Sequence, residues 1–348
     1  MASRFPGAER REVIDGVDVV RTGGLLWLWL TTFLFYMRKA RGRYDVVVTE
    51  GFGGSRIPRL TPLYVREPII TEWHQIHADL FAIQYPKPLV PFLNLLERAT
   101  AWIHRNTIVM ARTNEWRDAF PQIGFKPENI RVVPACIDEG WLTGQAELTR
   151  EPQFVWLGKF RRYKCPDHAI RAMQEVVRNV PKARLTLAGY HDDRTYEASL
   201  QDLVHHLGLR GSVSFRFGIT EVEKRLLLDS ARAIVLPSSV EGFGIVVLEA
   251  NARQVPVIAS TGVPAGAVAD GRNGLKYKFG DIPALARAII RIASDPDFHM
   301  QLAASSLEFA RRFEFRKVCG QYEEIILATA KFPRTNKGLP TPGDRISR

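Results

Sequence analysis

The sequence predicts an α/β protein with parallel sheets, and three observations carry that expectation. Short aliphatic and β-branched runs, among them Asp45–Thr49 (DVVVT), Asn106–Thr113, Ile130–Pro134, Phe154–Leu157, Arg184–Gly189, Val213–Phe217, Ala233–Leu236 and Val255–Ala259, have the length of buried strands. Between them lie segments of helical spacing, as in 282–293, where Ile282, Leu285, Ala286, Ile289 and Ile290 fall on one face. A chain of 348 residues, 46% hydrophobic and 24% charged, is long enough for two domains, each with its own core. Strand and helix in alternation put helices on both faces of a parallel sheet.

Taken in order, residues 1–24 are polar, with Val13–Arg21 read as one short strand, and lack the order of a secretory signal. Leu25–Met37 (LLWLWLTTFLFYM) is the most apolar stretch, followed at once by Arg38, Lys39, Arg41 and Arg43. Thirteen helical residues span about 20 Å, short of a bilayer core of about 30 Å. Two readings remain: a helix packed inside a domain, or an interfacial element with tryptophans at headgroup depth and a basic flank on anionic lipid. The formal charge of +11 favours anionic partners. No zinc-finger spacing, RNA-binding aromatic signature or uninterrupted basic helix accompanies it, so nucleic acid is not expected. Cys136, Cys165 and Cys319 have neither disulfide nor metal-ligand spacing and read as packing residues in a reducing compartment.

After Asp45–Thr49 come Gly51, Gly53 and Gly54, a flexible loop at a strand end. The third glycine of a dinucleotide fingerprint is replaced by Arg56, which argues against a nicotinamide enzyme. In WHQIH, His74 and His77 have the spacing of two ligands on one helix face, but no third ligand follows, and no metal is expected. Lys159 and Lys164 lie on the loop after Phe154–Leu157, where two cations can neutralise a diphosphate as charge develops on it; Arg161 and Arg162 read as solvated. Tyr190–Asp193 lacks D-x-D spacing and reads as a turn.

The stretch Pro237–Ser260 (PSSVEGFGIVVLEANARQVPVIAS) organises the rest. Gly242 and Gly244 let the backbone approach a ligand, and the N–H groups of the helix beginning near Gly244 point at an anion there. Glu241 and Glu249 bracket this helix start with seven residues between them, and Glu249 interrupts an apolar run, so it needs a partner if buried.

This segment resembles the E-x7-E signature of family 4 retaining glycosyltransferases of the GT-B fold, and the similarity runs from about Asp45 to Ala330. The resemblance implies two Rossmann-like domains facing a cleft: 1–150 on the acceptor side, 151–312 binding the nucleotide sugar, a helix at 313–330 crossing back, and a disordered tail at 331–348. It implies that Glu241 contacts the donor sugar hydroxyls and Glu249 the ribose, while the amides of Gly242 and Phe243 meet the diphosphate beside Gly244. Gly158, Lys159 and Lys164 fall on the phosphate loop, Gly218 beside the base, and His74 near the donor sugar, with His77 in reserve. Three departures stand out: Gln254 where the family has Gly, so that the helix-to-strand turn must close differently; Ala135 and Cys136 for Asn and Gly; and Lys159 for Arg. Set against the family pattern, the first domain is expected to lack the usual first strand, glycine loop, helix and second strand.

The expected activity is retaining transfer of a hexose from a UDP- or GDP-sugar to a hydroxyl acceptor, such as a glycolipid or cell-envelope polysaccharide precursor, with no cofactor required. The expected location is cytoplasmic, peripheral on the inner face of the cell membrane. The alternative is a nucleotide-sugar-binding scaffold that has lost transfer. Sugar, base, acceptor and oligomeric state are not legible.

Overall fold

The computed structural model describes residues 1–5, 7–24, 27–52, 58–142 and 151–331. Gly53 and Gly54, the polar stretch 143–150 and the tail beyond Lys331 lie outside the described residues. The chain forms two compact units, one comprising Met1–His77, Lys87–Val133 and Gln321–Arg348, the other Ala78–Pro86 and Pro134–Gly320.

The first unit opens on a hairpin of β1 (Arg11–Ile14) and β2 (Val17–Val20), where one strand was expected. Asp15 and Gly16 both take positive φ (50° and 81°), the type I′ geometry that turns an Asp-Gly pair into a two-residue hairpin loop. Helix α1 (Leu28–Phe35) continues into a π turn over Tyr36–Ala40. Of these residues only Leu28, Tyr36 and Ala40 are buried, whereas Trp27, Trp29, Leu34 and Met37 face solvent, so the packed-helix reading holds for one side alone. No helix among the described residues is long and apolar enough to cross a membrane.

Strands β3 (Val47–Glu50), β4 (Ile69–Glu72), β5 (Ile108–Ala111) and β6 (Ile130–Val132) pair in sequence order as a parallel sheet. Trp73, Met110, Phe120 and Phe125 fill its core. Helix α2 (Ala78–Gln84) groups with the second unit; α3 (Val90–His104) and α4 (Asn114–Ala119) belong to the first.

The second unit is a six-stranded parallel sheet in the order β12-β11-β10-β7-β8-β9. The strands are β7 (Gln153–Lys159), β8 (Arg184–Tyr190), β9 (Val213–Phe217), β10 (Ala233–Leu236), β11 (Val257–Ser260) and β12 (Gly274–Tyr277). Its helices are α5 (Pro166–Asn179), α6 (Arg194–His206), α7 (Glu221–Ser230), α8 (Ile245–Ala252), α9 (Ile282–Ser294) and α10 (Pro296–Arg311). In α11 (Phe315–Ala330), residues to Gly320 group with the second unit and those from Gln321 with the first.

Strand alternation sorts the apolar residues into two cores. Phe154 and Trp156 pack with Ile170 and Met173 of α5 on one face, and Val155 and Leu157 with Val247 and Leu248 of α8 on the other. Strands buried on both faces read as continuous apolar runs, which is why they were legible. Ile137 and Trp141 belong to the second core, and Ile137 bridges to the chain at Glu314. Neither Ala135 nor Cys136 has positive φ, so that turn does not require glycine.

Candidate active site

The order of the second sheet reverses beside β7: the chain steps outward through β8 and β9, then returns to the other side with β10. Two loops diverge at such a point, and ligands of open α/β sheets settle in the crevice at the carboxyl ends of those strands. Here the loops are 160–165 after β7 and 237–244 after β10.

Side chains close the two loops on each other. Lys164 Nζ lies 2.5 Å from Glu241 Oε1, and the Ser238 hydroxyl donates to the same oxygen at 2.7 Å. Ser239 N–H donates to the Tyr163 carbonyl at 2.8 Å. The side chains of Lys164 and Glu241 are 18% and 8% exposed, a pair largely withdrawn from water. Burial alone would depress the Lys164 ammonium; the Glu241 carboxylate outweighs it and holds Lys164 above the ordinary lysine range. Beneath them, the Ser260 hydroxyl donates to the Ser238 carbonyl, and Glu241 N–H to the Gly262 carbonyl at 3.0 Å. A Cβ on Gly262 would sit 2.2 Å from the Ser239 carbonyl oxygen, so only glycine fits this floor.

The start of α8 lies directly after Glu241. Gly244 takes φ 87° at the N-cap of α8, and the N–H groups of Gly242, Phe243 and Gly244 have no hydrogen-bond acceptor among the described residues. Phe243 is buried against Phe313, anchoring the loop from below. Further along α8, Glu249 has found a protein partner: Lys224 Nζ bonds its Oε1 at 2.8 Å, also reaches Glu221 at 2.8 Å, and lies over the Trp141 ring at 5.0 Å. Burial would lower the Lys224 ammonium, but these two carboxylates raise it.

Lys159 ends β7 exposed and in no ion pair among the described residues. Gly158 packs against Gly189, whose Cβ would lie 1.7 Å from the Gly158 carbonyl oxygen. Gly218 (φ 68°) follows β9 at the sheet edge, two strands from β7, and shares no hydrogen bond with the Lys164–Glu241 group.

In the first unit His74 follows β4 in an irregular segment that runs to His77, so the helical spacing of the two histidines is not realised. Arg112 Nε donates to His74 Nδ1 at 3.4 Å, and Glu50 stands 3.9 Å from Nε2. Arg112 is itself paired with Glu72 at 3.2 Å, and Tyr322 donates to Glu72 at 3.1 Å. Burial, reinforced by Arg112, holds the His74 imidazole below its ordinary range. His77 is committed elsewhere, its ring 2.7 Å from the buried Glu97.

Several residues escaped the sequence reading. Arg161 is not simply solvated but forks onto Asp192 at 2.7 and 2.9 Å, and Arg162 lies over the Tyr196 ring. Lys224, the partner of Glu249, carried no signal by spacing, and Ser238, read only as part of the loop, bonds Glu241 three residues on. The turn after α8 corrects a second expectation. Gln254 takes φ 57° and closes the turn as glycine would, with Val255 N–H donating to the Ala250 carbonyl and Asn251 bonded to Asn273 alongside.

The chain has the GT-B fold and is similar to family 4 glycosyltransferases, and its residues 143–308 match the family model described as glycosyl transferases group 1. Among particular relatives, the chain is 29% identical over 313 residues to a D-inositol 3-phosphate glycosyltransferase of Nocardioides sp., covering 82% of this chain and 67% of that one. It is 24% identical over 234 residues to the GDP-mannose:cellobiosyl-diphosphopolyprenol alpha-mannosyltransferase of Xanthomonas oryzae pv. oryzae, covering 66% and 61%. The chain spans between 40% and 67% of the length of the curated relatives it matches here. Its fold is that of the sucrose-phosphate synthase of Thermosynechococcus elongatus (TM-score 0.77, 20% identity, 94% and 88% of the two chains). It is also that of Anabaena HepE in complex with UDP-glucose (TM-score 0.72, 18% identity, 86% and 82%).

Proposed function

We propose that the protein transfers a hexose, with retention, from a nucleotide diphosphate sugar to a hydroxyl acceptor. The observation that carries this reading is the joining of Lys164 and Glu241 across the switch point, directly before three backbone N–H groups that have no acceptor among the described residues. A diphosphate laid there meets amides at the start of α8 and the cations Lys159 and Lys164, while Glu241 accepts from sugar hydroxyls and Glu249 from the ribose. In transfer, the bond from the anomeric carbon to the phosphate oxygen breaks as the acceptor oxygen bonds on the same face, and the acceptor proton passes to the departing phosphate. The protein positions the reactants and neutralises charge. A UDP- or GDP-linked donor fits this reading, and the relatives above are named for inositol phosphate and diphosphopolyprenol chemistry.

The acceptor side belongs to the first unit. A cavity of about 490 Å³ there, lined by Trp29, Phe35, Tyr36 and Tyr64, also reaches Glu50, the neighbour of His74. It suits an acceptor with an apolar portion. Trp27, Trp29 and Met37 stand exposed beside Arg38, Lys39, Arg41 and Arg43, which favours an anionic membrane surface as the unit's partner.

The test is a screen of UDP- and GDP-sugars by thermal shift, followed by release of free nucleotide diphosphate with an inositol phosphate or polyprenyl-diphosphate sugar as acceptor. Glu249→Gln is expected to weaken nucleotide binding and Glu241→Ala to cut turnover more than donor affinity. Unchanged kinetics in both variants refute the site, and donor binding without transfer identifies a scaffold.

A further inference from the structure

We propose that Cys165, Asp167 and His168 form a binding site for a thiophilic divalent cation of the zinc class. The cysteine was read as inert packing, and its burial agrees. The fold nevertheless gives it two companions. Cys165 caps the start of α5, and its Sγ, an Asp167 oxygen and a His168 ring nitrogen all lie within 4.8 Å of one another. Thiolate, imidazole and carboxylate are the donor set of tetrahedral zinc, for which neighbouring ligand atoms stand about 3.5 Å apart. Asp167 and His168 are half-exposed on the first turn of α5, where side-chain rotation supplies the difference.

Independent observations point into the same space. Tyr277 is 5% exposed, its hydroxyl has no hydrogen-bond partner among the described residues, and it lies within electrostatic reach of Cys165 and Asp167. His168 Nδ1 is likewise buried without a hydrogen-bond partner among the described residues. Buried polar atoms are nearly always paired, and two orphans at one cluster mark a place for a ligand or its bound water. Asp167 already has an orienting group, since Tyr196 donates to its Oδ1 at 2.9 Å. Two cations oppose the site, Arg171 at 4.0 Å from Asp167 Oδ2 and Arg162 over Tyr196, and they limit its affinity. On binding, the Cys165 S–H proton leaves to solvent, its hydrogen bonds to the Arg162 and Tyr163 carbonyls are given up, and a sulfur–metal bond forms with no change of oxidation state. The inference rests on this cluster alone and does not require the transferase reading.

Co²⁺ and Zn²⁺ titrated into the reduced full-length chain provide the test. Cobalt is expected to give a thiolate charge-transfer band that saturates at one ion per chain and is displaced by Zn²⁺. Cys165→Ser abolishes the band, and His168→Gln, at a half-exposed position that folds readily, weakens binding about 100-fold, whereas Cys136→Ser and Cys319→Ser leave it intact. Absence of a band, or a band that survives both Cys165→Ser and His168→Gln, overturns the proposal.

Discussion

Replacing Lys164 by Met keeps the volume of the side chain and removes its charge from Glu241, to which the Ser238 hydroxyl still donates. Removing one member of a fully buried pair costs about 3–5 kcal/mol. With side chains 18% and 8% exposed, water screens part of this interaction, and the retained serine satisfies part of the carboxylate. About 2 kcal/mol is therefore expected for Lys164→Met, a little less for Glu241→Gln, and a coupling energy of about 1.5 kcal/mol in the double-mutant cycle. Urea unfolding of the four proteins measures it. The sign with pH is fixed by the raised Lys164 ammonium. Its contribution is complete below the unfolded value of 10.5 and is lost as pH rises through the higher folded value, so the cycle stays flat from pH 6 to 9. The same variants report on binding. Lys164→Met is expected to weaken a nucleoside diphosphate about 10-fold or more, since a charge-assisted hydrogen bond is worth about 1.5–3 kcal/mol, while Glu241→Gln affects mainly the increment contributed by the sugar. A coupling energy below about 0.5 kcal/mol would refute the reading of this pair as the clasp between the two loops.

Three further outcomes are expected. His74, held neutral by burial and Arg112, binds fewer protons folded than unfolded, so its share of stability is present above pH 6.5 and is lost as pH falls below it; His74→Gln should narrow the difference in melting temperature between pH 5 and pH 7.5. Gln254→Gly relieves a left-handed backbone that disfavours side chains by about 1–2 kcal/mol, less the entropy glycine gains on unfolding, and should stabilise by about 0.5 kcal/mol in thermal denaturation. Gly262→Ala drives a methyl against the Ser238 and Ser239 carbonyls and should destabilise by about 2–3 kcal/mol, with loss of donor-induced thermal shift.

Most of the strands, and the helices between them, were legible because residues buried on both faces of a parallel sheet leave unbroken apolar runs. The N-terminal hairpin was not: Val13–Arg21 looks like one strand unless the Asp15–Gly16 pair is weighed as a turn. Likewise, the two glutamates and Lys164 were visible in the sequence, whereas their pairings were not. Ser238 meets Glu241 within one loop, three residues on, whereas Lys164 meets Glu241 only because β7 and β10 end side by side, and Lys224 meets Glu249 only because α7 lies beside α8. Such pairings are tertiary facts, set by which elements the topology makes neighbours. The same holds for Arg161, which joins Asp192 because β7 and β8 end side by side.

The departures from the family pattern show how far a motif constrains backbone. Gln254 stands where glycine was expected, and the chain nevertheless reaches the left-handed conformation, supported by the Asn251–Asn273 bond beneath it. The required quantity is therefore the turn, which glycine makes easier and a buried polar clamp can enforce. Lys159 differs in kind, since a lysine cannot reproduce a guanidinium fork. If the site takes a diphosphate, Lys159 supplies a point charge at the strand end, and its loss should be felt more in salt-dependent donor affinity than in orientation.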